Sequence, residues 1–291
     1  MGKLFRPAFD FLLFSNLFMA LCAVAQAMVT FILIDFQPIY PVLAILFLST
    51  FCIYNFSILL SKPKDPAKSP FKRVRWFFSY YRWMVTITVI SAMLLLPLFF
   101  LVSNESKLLL VFLSILSFGY GLPMFTAGNQ KFGLRNIPGL KLLLIGITWT
   151  LSVVLLPVFE IEHIHHLKIA DADILLLTAK RFLFITVIAI PFDIRDLFQD
   201  HKLGLKTIPV VFGEKNAYLL CQILLIAYLI LLFLFRNHGF DNNFFALTIT
   251  IVLAGWLIFR SKFEKNEYYY FFFLDGVLIL QYVLMIIFKT I

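Results

Sequence analysis

Three aspartates lie close together in the segment IPFDIRDLFQDHKLGLKTIPVVFG, residues 190–213. On a helix, where successive residues turn by about 100°, Asp193, Asp196 and Asp200 would share an arc of about 60°. Carboxylates on one face repel one another unless a cation lies between them. Oxygen ligands of this kind suit Mg²⁺, which also binds phosphates. The spacing therefore predicts a magnesium site, and the alternative is a solvated helix end balanced by Arg195 and nearby lysines.

Basic side chains in two other segments favour a phosphate site, because phosphate binding needs cations as well as a metal. The alternative is that these loops only hold the orientation of the chain and contact anionic lipid. The first group follows the second apolar stretch and contains Lys62, Lys64, Lys68, Lys72, Arg73 and Arg75. The second group precedes the fifth apolar stretch and contains Lys131, Arg135 and Lys141.

The composition shows where such a site must lie. The 291 residues are 62% hydrophobic and 14% charged, whereas soluble domains average roughly 45–50% apolar and about 25% charged residues. Too little polar surface is available to cover a water-soluble globule, so a soluble enzyme and a disordered protein are excluded. The three cysteines lie in apolar runs without disulfide or metal spacing, which excludes a disulfide-stabilised secreted module. The composition predicts an integral membrane protein.

Nine apolar stretches approach the roughly 20 residues that a helix needs to cross a bilayer. Alternating ten-residue strands are absent, so we predict an all-α polytopic membrane helical bundle forming a single domain over residues 1–291. The first stretch contains Ala-x-Ala steps typical of a signal peptide, but its length favours an uncleaved helix. The stretches cover residues 11–34, 38–60, 83–102, 108–125, 140–158, 174–192, 216–235, 244–259 and 270–288.

The distribution of basic residues predicts the orientation. With the N-terminus in the cytoplasm, 19 of the 25 lysines and arginines fall in cytoplasmic segments, as the positive-inside rule requires. The net charge of +9 is explained by this asymmetry, so no nucleic-acid partner is required. The aspartates and both basic groups then share one membrane face.

Two further polar groups allow functional and structural interpretations. His163, His165 and His166 lie in EIEHIHHLK, where a solvated external loop is favoured over a metal site. Asp275 lies within the ninth stretch, where it can act as a functional acid or as a partner in a helix–helix hydrogen bond.

The segment RDLFQDHKLGLKTIPVVFG, residues 195–213, resembles the second aspartate-rich motif of the UbiA-type membrane prenyltransferases. Its position after the sixth of nine predicted helices is also similar to the position in that family. The motif reads approximately RDxxxDxxxGxxTxPxxxG, and the matching residues are Asp196, Asp200, Gly204, Thr207, Pro209 and Gly213.

The resemblance implies a UbiA-like enzyme that moves a polyprenyl group from its diphosphate to an aromatic or other lipid-precursor acceptor. It implies Mg²⁺ as the cofactor, with Asp196 and Asp200 as catalytic metal ligands supported by Asp193. It also implies a hydrophobic cavity for the prenyl chain, in the cytoplasmic membrane of a bacterium. The substrate-binding residues that we expect are Asn55, Tyr120, Lys131, Arg135 and Lys206.

The first motif of the family, which resembles NDxxDxxxD, is altered in this chain. Asn55 occupies the asparagine position, but Phe56, Leu59 and Pro63 stand where acids are expected. Three hypotheses follow: the aspartates hold fewer metal ions, cations such as Lys62 bind the diphosphate directly, or catalysis has been lost. A membrane transporter is the competing class, although a transporter should place polar residues mid-span rather than at one interface.

Overall fold

The computed structural model describes residues 5–121, 125–127, 130–132, 137, 139–202, 204–234 and 239–290. Helices dominate this part of the chain, and two three-residue strands pair antiparallel between the sixth and seventh helices. The elements are α1 Phe5–Phe14, α2 Leu17–Ile34, α3 Tyr40–Leu60, α4 Lys72–Ser79, α5 Tyr81–Phe100, α6 Asn104–Gly121, β1 Phe125–Ala127, β2 Gln130–Phe132, α7 Leu140–His165, α8 Asp171–Arg195, α9 Leu197–Lys202, α10 Ile208–Phe212, α11 Glu214–Leu234, α12 Asn242–Ser261, a π-helical segment Tyr269–Leu274 and α13 Gly276–Thr290.

The predicted all-α membrane bundle is confirmed. Within the described residues, eight helical segments are long and apolar enough to cross a membrane: α2, α3, α5, α7, α8, α11, α12 and the π-helical segment joined to α13. The remaining predicted stretch, 108–125, corresponds to α6, whose polar first turn contains Glu105 and Lys107. The count is therefore close to the predicted nine.

The first predicted stretch, 11–34, is divided in the structure. The chain bends at Asn16, whose left-handed backbone (φ 71°) separates α1 from α2. Asparagine is among the few residues other than glycine that adopt this conformation readily. At this bend the buried Asn16 side chain contacts Asn55 and Arg73, which belong to the candidate site described below.

Helices α7 and α8 pack closely along the centre of the bundle. A Cβ placed on Gly146 of α7 would lie 2.7 Å from both Phe182 Cε2 and Thr186 Oγ1 of α8. Small residues permit such close approach in membranes, where helices associate mainly through packing and polar contacts. The approach brings the first turn of α7 beside the last turn of α8.

Arg181 of α8 shows how the bundle accommodates a charge at membrane depth. Its guanidinium donates to Gln281 Oε1 at 2.8 Å and also to Gln26 Oε1, so polar side chains of α2 and α13 surround it. Buried intramembrane charges are retained only with such partners. Arg181 thus interrupts the apolar sequence of α8 without disrupting the span.

Candidate functional site

The aspartate-rich segment does not form one continuous helix. Helix α8 ends at Arg195, Asp196 adopts φ −89° and ψ 4°, and α9 begins at Leu197. The three carboxylates therefore do not lie on one regular helix, as the predicted arc assumed. Asp193 and Asp200 share one cationic partner, and Asp196 has another.

Asp193 and Asp200 converge on the ammonium group of Lys141, in the first turn of α7. Lys141 Nζ lies 2.6 Å from Asp193 Oδ1 and 3.6 Å from Asp200 Oδ2. Burial raises the pKa of the Asp200 carboxyl above its usual range, and the neighbouring Lys141 cation opposes this effect. The lysine thus neutralises carboxylates that burial would otherwise destabilise.

Asp196 forms its ion pair with the adjacent Arg195. The two carboxylate oxygens accept from Arg195 Nε at 2.8 Å and from Nη2 at 3.0 Å. Such bidentate pairs are geometrically specific. Aromatic rings hold the guanidinium from other directions through cation–π contacts, at 5.0–5.9 Å from the ring centroids of Tyr270, Phe192, Phe271 and Phe71.

A second arginine, Arg73 of α4, reaches the same end of the bundle. Its Nη2 donates to Asn16 Oδ1, and Asn16 Nδ2 donates to Asn55 Oδ1 at 2.6 Å. Asn55 is fully buried in α3. The asparagine that remains from the altered first motif therefore positions an arginine through Asn16. Burial lowers the pKa of Arg73 to about 10, so its guanidinium remains charged at neutral pH.

Glu267, which precedes the π-helical segment, fixes the start of α4. Its carboxylate accepts from the backbone N–H groups of Lys72 at 2.7 Å and of Arg73 at 3.1 Å. An acid at a helix N-terminus satisfies unpaired donors and interacts favourably with the helix dipole. Glu267 therefore holds the helix that carries Arg73 over this end of the bundle.

Two adjoining cavities open between these groups. A polar cavity of about 360 Å³ is lined by both arginines, Asp196, Glu267 and neighbouring residues. An apolar cavity of about 200 Å³ lies beside it and is lined by side chains of α3, α6 and α7. Tyr54, Ser57 and Tyr120 line both cavities and form their common boundary.

Several donors at the polar cavity have no acceptor within the described part of the chain. They are Arg73 Nε and Arg195 Nη1, together with Nδ2 of the connected Asn55. Leaving a buried donor unpaired costs roughly 1–3 kcal/mol. The two arginine donors lie beside one cavity and form a site suited to an anionic ligand with several oxygen atoms.

The structure distributes the predicted site residues unevenly. Asp193 lies in the last turn of α8, Asp196 between α8 and α9, and Asp200 in α9. Of these three, Asp196 lines the polar cavity, and Tyr120 lies at the boundary of the two cavities. Lys206 is exposed, and the side chains of Lys131 and Arg135 lie outside the described residues.

The sequence identifies Arg73 and Arg195 only as basic residues and assigns no specific contact to either of them. Their specific role is visible from their contacts with Asn16 and Asp196. Lys62, which we expected near the phosphate, is exposed and lies over the rings of Phe78 and Tyr81. Among the described side chains, Arg73 and Arg195 line the polar cavity, whereas Lys62 does not.

The donor set present does not fit a Mg²⁺ ion. Lys141 pairs with Asp193 and lies 3.6 Å from Asp200, Arg195 pairs with Asp196, and apolar residues replace the acids of the first motif. Across the residues that the structure describes, no group of three or more His, Cys, Asp or Glu side chains is arranged to hold a metal. His163 is exposed and lies in the last turn of α7 rather than in the expected loop.

Comparisons with known proteins agree with this architecture. The family model described as the UbiA prenyltransferase family matches residues 79–274, more than half of the chain. No curated protein sequence matches the chain.

Solved structures of UbiA homologues share the fold over nearly the whole chain. A homologue from Archaeoglobus fulgidus bound to DMAPP and Mg²⁺ is 13% identical, with a TM-score of 0.64, covering 97% of this chain and 99% of that one. A homologue from the same organism bound to GPP and Mg²⁺ is 14% identical, with a TM-score of 0.66 and coverage of 97% and 100%. The apo structure of a homologue from Aeropyrum pernix K1 is 13% identical, with a TM-score of 0.66 and coverage of 94% and 99%. The chain belongs to the UbiA prenyltransferase family.

Proposed function

We propose that this single membrane domain transfers a prenyl group from a prenyl diphosphate to an apolar or aromatic acceptor. The observation that carries the proposal is the junction of the two cavities at Tyr54, Ser57 and Tyr120. One cavity offers arginine donors for an anionic head, and the other offers an apolar surface for a hydrocarbon chain. A prenyl diphosphate has the same two parts, an anionic diphosphate and an apolar hydrocarbon chain.

The diphosphate would bind in the polar cavity. Arg73 and Arg195 each carry a positive charge and a buried N–H without an acceptor among the described residues. Guanidinium groups suit phosphate because their planar donors match its oxygen atoms. The Asn16–Asn55 contact and the Asp196 pair hold the two arginines in place, which limits the entropy lost on binding.

The prenyl chain would extend into the apolar cavity. Phe56 packs edge-on against Phe118 at its wall, with ring centroids 5.5 Å apart, and Trp149 donates from Nε1 to Tyr54 Oη at 3.2 Å. Such walls exclude water, and aromatic faces stabilise a nearby cation. Phe56 therefore provides hydrocarbon surface at a position where the first motif lost an acid.

The chemistry follows from this placement. The bond between the allylic carbon and the diphosphate oxygen breaks, and its electron pair leaves with the diphosphate. The two arginines stabilise the negative charge that develops there. The acceptor then donates an electron pair to the allylic cation and loses a proton. In two solved structures of relatives Mg²⁺ accompanies DMAPP or GPP, whereas in this chain the two arginines supply the positive charge at the diphosphate.

The membrane face proposed for this site is cytoplasmic. Arg73, Lys141, Arg195 and Glu267 come from four segments that the positive-inside rule assigns to the cytoplasm. Their contacts at one end of the bundle support a shared face.

The direct test is incubation of purified protein in vesicles with radiolabelled GPP and a panel of aromatic and lipid-precursor acceptors. We expect a labelled, lipid-soluble product that Arg73→Gln reduces and protein-free vesicles lack. Binding of GPP without product from any acceptor would instead support the inactive family member. Absence of both binding and product would overturn the proposal.

A further inference from the structure

We propose that the ammonium group of Lys141 takes the place of a divalent cation within the second aspartate motif. The protein then binds its diphosphate substrate without Mg²⁺. This inference rests on the proposed function and concerns how the same site is neutralised. A lysine from α7 and two arginines supply internally the positive charge that a bound metal would bring.

The geometry of Lys141 carries the inference. Its Nζ approaches Asp193 Oδ1 at 2.6 Å and Asp200 Oδ2 at 3.6 Å, so it bridges the last turn of α8 and helix α9. The side chain of Lys141 is 19% exposed and those of both aspartates are 7% exposed. The bridge is thus largely shielded from solvent, where an ion pair is little screened by salt.

The fold holds the lysine at this position. Gly139 precedes α7 in a left-handed conformation (φ 71°), and its N–H donates to the carbonyl oxygen of Lys206 at 3.3 Å. Two residues later, Lys141 lies in the first turn of the helix that packs against α8 through Gly146. The same contacts that join α7 to the aspartate segment therefore direct Lys141 towards it.

A metal and this lysine compete for the same oxygen atoms. Mg²⁺ requires near-octahedral oxygen ligands at about 2.0–2.1 Å, and an ammonium cation between the two carboxylates would be within a few ångströms of it. Two cations at that separation repel strongly away from bulk water. Mg²⁺ could bind only after Lys141 had moved away.

The altered first motif also lowers the negative charge of the site. Phe56, Leu59 and Pro63 remove three expected carboxylates, which lowers the negative charge available to attract metal ions. A site with fewer acids and an internal cation has little affinity for Mg²⁺ and greater affinity for a bare diphosphate. The loss of the three acids and the pairing of Lys141 with the remaining aspartates both make the site less negative.

The test measures GPP binding to the purified full-length protein in detergent, in EDTA and in excess Mg²⁺. For the wild type we expect equal affinity under both conditions. In Lys141→Met the freed carboxylates repel the diphosphate, so we expect about tenfold weaker binding in EDTA, restored by Mg²⁺. Lys141→Arg should resemble the wild type, and Lys215→Met removes an exposed lysine as a matched control.

A second measurement uses Mn²⁺ alone, followed by electron paramagnetic resonance. The wild type should leave Mn²⁺ free, whereas Lys141→Met should bind it. Wild-type binding of GPP that requires Mg²⁺ would overturn this inference and leave the proposed function standing. Absence of GPP binding under every condition would overturn the proposed function itself. If Lys141→Met does not fold, the comparison of EDTA and Mg²⁺ on the wild type still decides.

Discussion

Lys141 Nζ lies 2.6 Å from Asp193 Oδ1 and thereby joins the start of α7 to the end of α8. The two residues are far apart in the sequence, yet their ion pair neutralises the segment that most resembles a metal-binding motif. A buried pair of this kind offsets a large desolvation cost only when its geometry is good. The motif is retained, but within this chain its acids bind side-chain cations.

Arg73→Gln should weaken GPP binding by about one to two orders of magnitude, since a charge-assisted contact to phosphate contributes roughly 1.5–3 kcal/mol. Binding of the uncharged alcohol geraniol should change little, because its contacts are apolar. A fluorescence or radioligand titration measures both ligands. Arg82→Gln removes an exposed arginine of α5 as the control. An equal loss for GPP in the two variants would contradict the assignment of Arg73.

Asn16→Gly should also weaken GPP binding, because it removes the acceptor that holds Arg73 and the donor to Asn55. Glycine keeps the backbone at φ 71° without strain. Asn16→Ala removes the same side-chain contacts but adds about 1–2 kcal/mol of left-handed backbone strain. We expect similar GPP affinity in the two variants and a lower thermal midpoint for Asn16→Ala. Wild-type affinity in both would exclude a positioning role.

Gly146→Ala should lower the free energy of unfolding by roughly 1–3 kcal/mol, the usual range for overpacking. The new methyl group would lie 2.7 Å from Phe182 Cε2 and from Thr186 Oγ1, forcing α7 and α8 apart. Thermal unfolding in detergent measures the change. Gly276→Ala, whose Cβ would meet Phe18 at an ordinary 3.5 Å, is the matched control. Equal midpoints in the two variants would refute the close packing.

Tyr268→Phe tests the tie between α1 and the π-helical segment. Tyr268 Oη donates to Asp10 Oδ1 at 2.6 Å, and burial, then the Asp10 carboxylate, raises the pKa of Tyr268 to about 12 from 10. Because the folded-state pKa is raised, this stabilisation is complete below pH 10 and is lost as pH rises through about 12. The thermal midpoints of wild type and variant should therefore differ at pH 8 and converge near pH 12. A difference between the two thermal midpoints that stayed constant from pH 8 to about pH 12 would contradict this interpretation.

The orientation is tested by single exposed cysteines and a membrane-impermeant maleimide. Lys64→Cys and His201→Cys should react only after the cytoplasmic side is opened, whereas His163→Cys should react from outside, as the basic-residue asymmetry predicts. The native Cys22 and Cys221 are buried and should react little. Labelling of Lys64→Cys from outside would reverse the orientation and move the proposed site to the opposite face.

The sequence by itself determined the class of the molecule and the location of its motif. Long apolar stretches can only be spanning helices in lipid, since the backbone must satisfy its own hydrogen bonds there. The lengths of the apolar stretches therefore predicted the spans, and the pattern around Asp196 and Asp200 indicated the family.

Only the tertiary structure decided which cations meet which acids. The helical arc predicted for Asp193, Asp196 and Asp200 assumed one continuous helix, and nothing in it indicated that Lys141 would pair with Asp193 while Arg195 pairs with Asp196. Lys141 reaches Asp193 only because α7 and α8 pack closely, and Arg73 reaches Asn16 only because Glu267 fixes α4. Ion pairs depend on distances of a few ångströms between distant segments, and sequence spacing contains no such information.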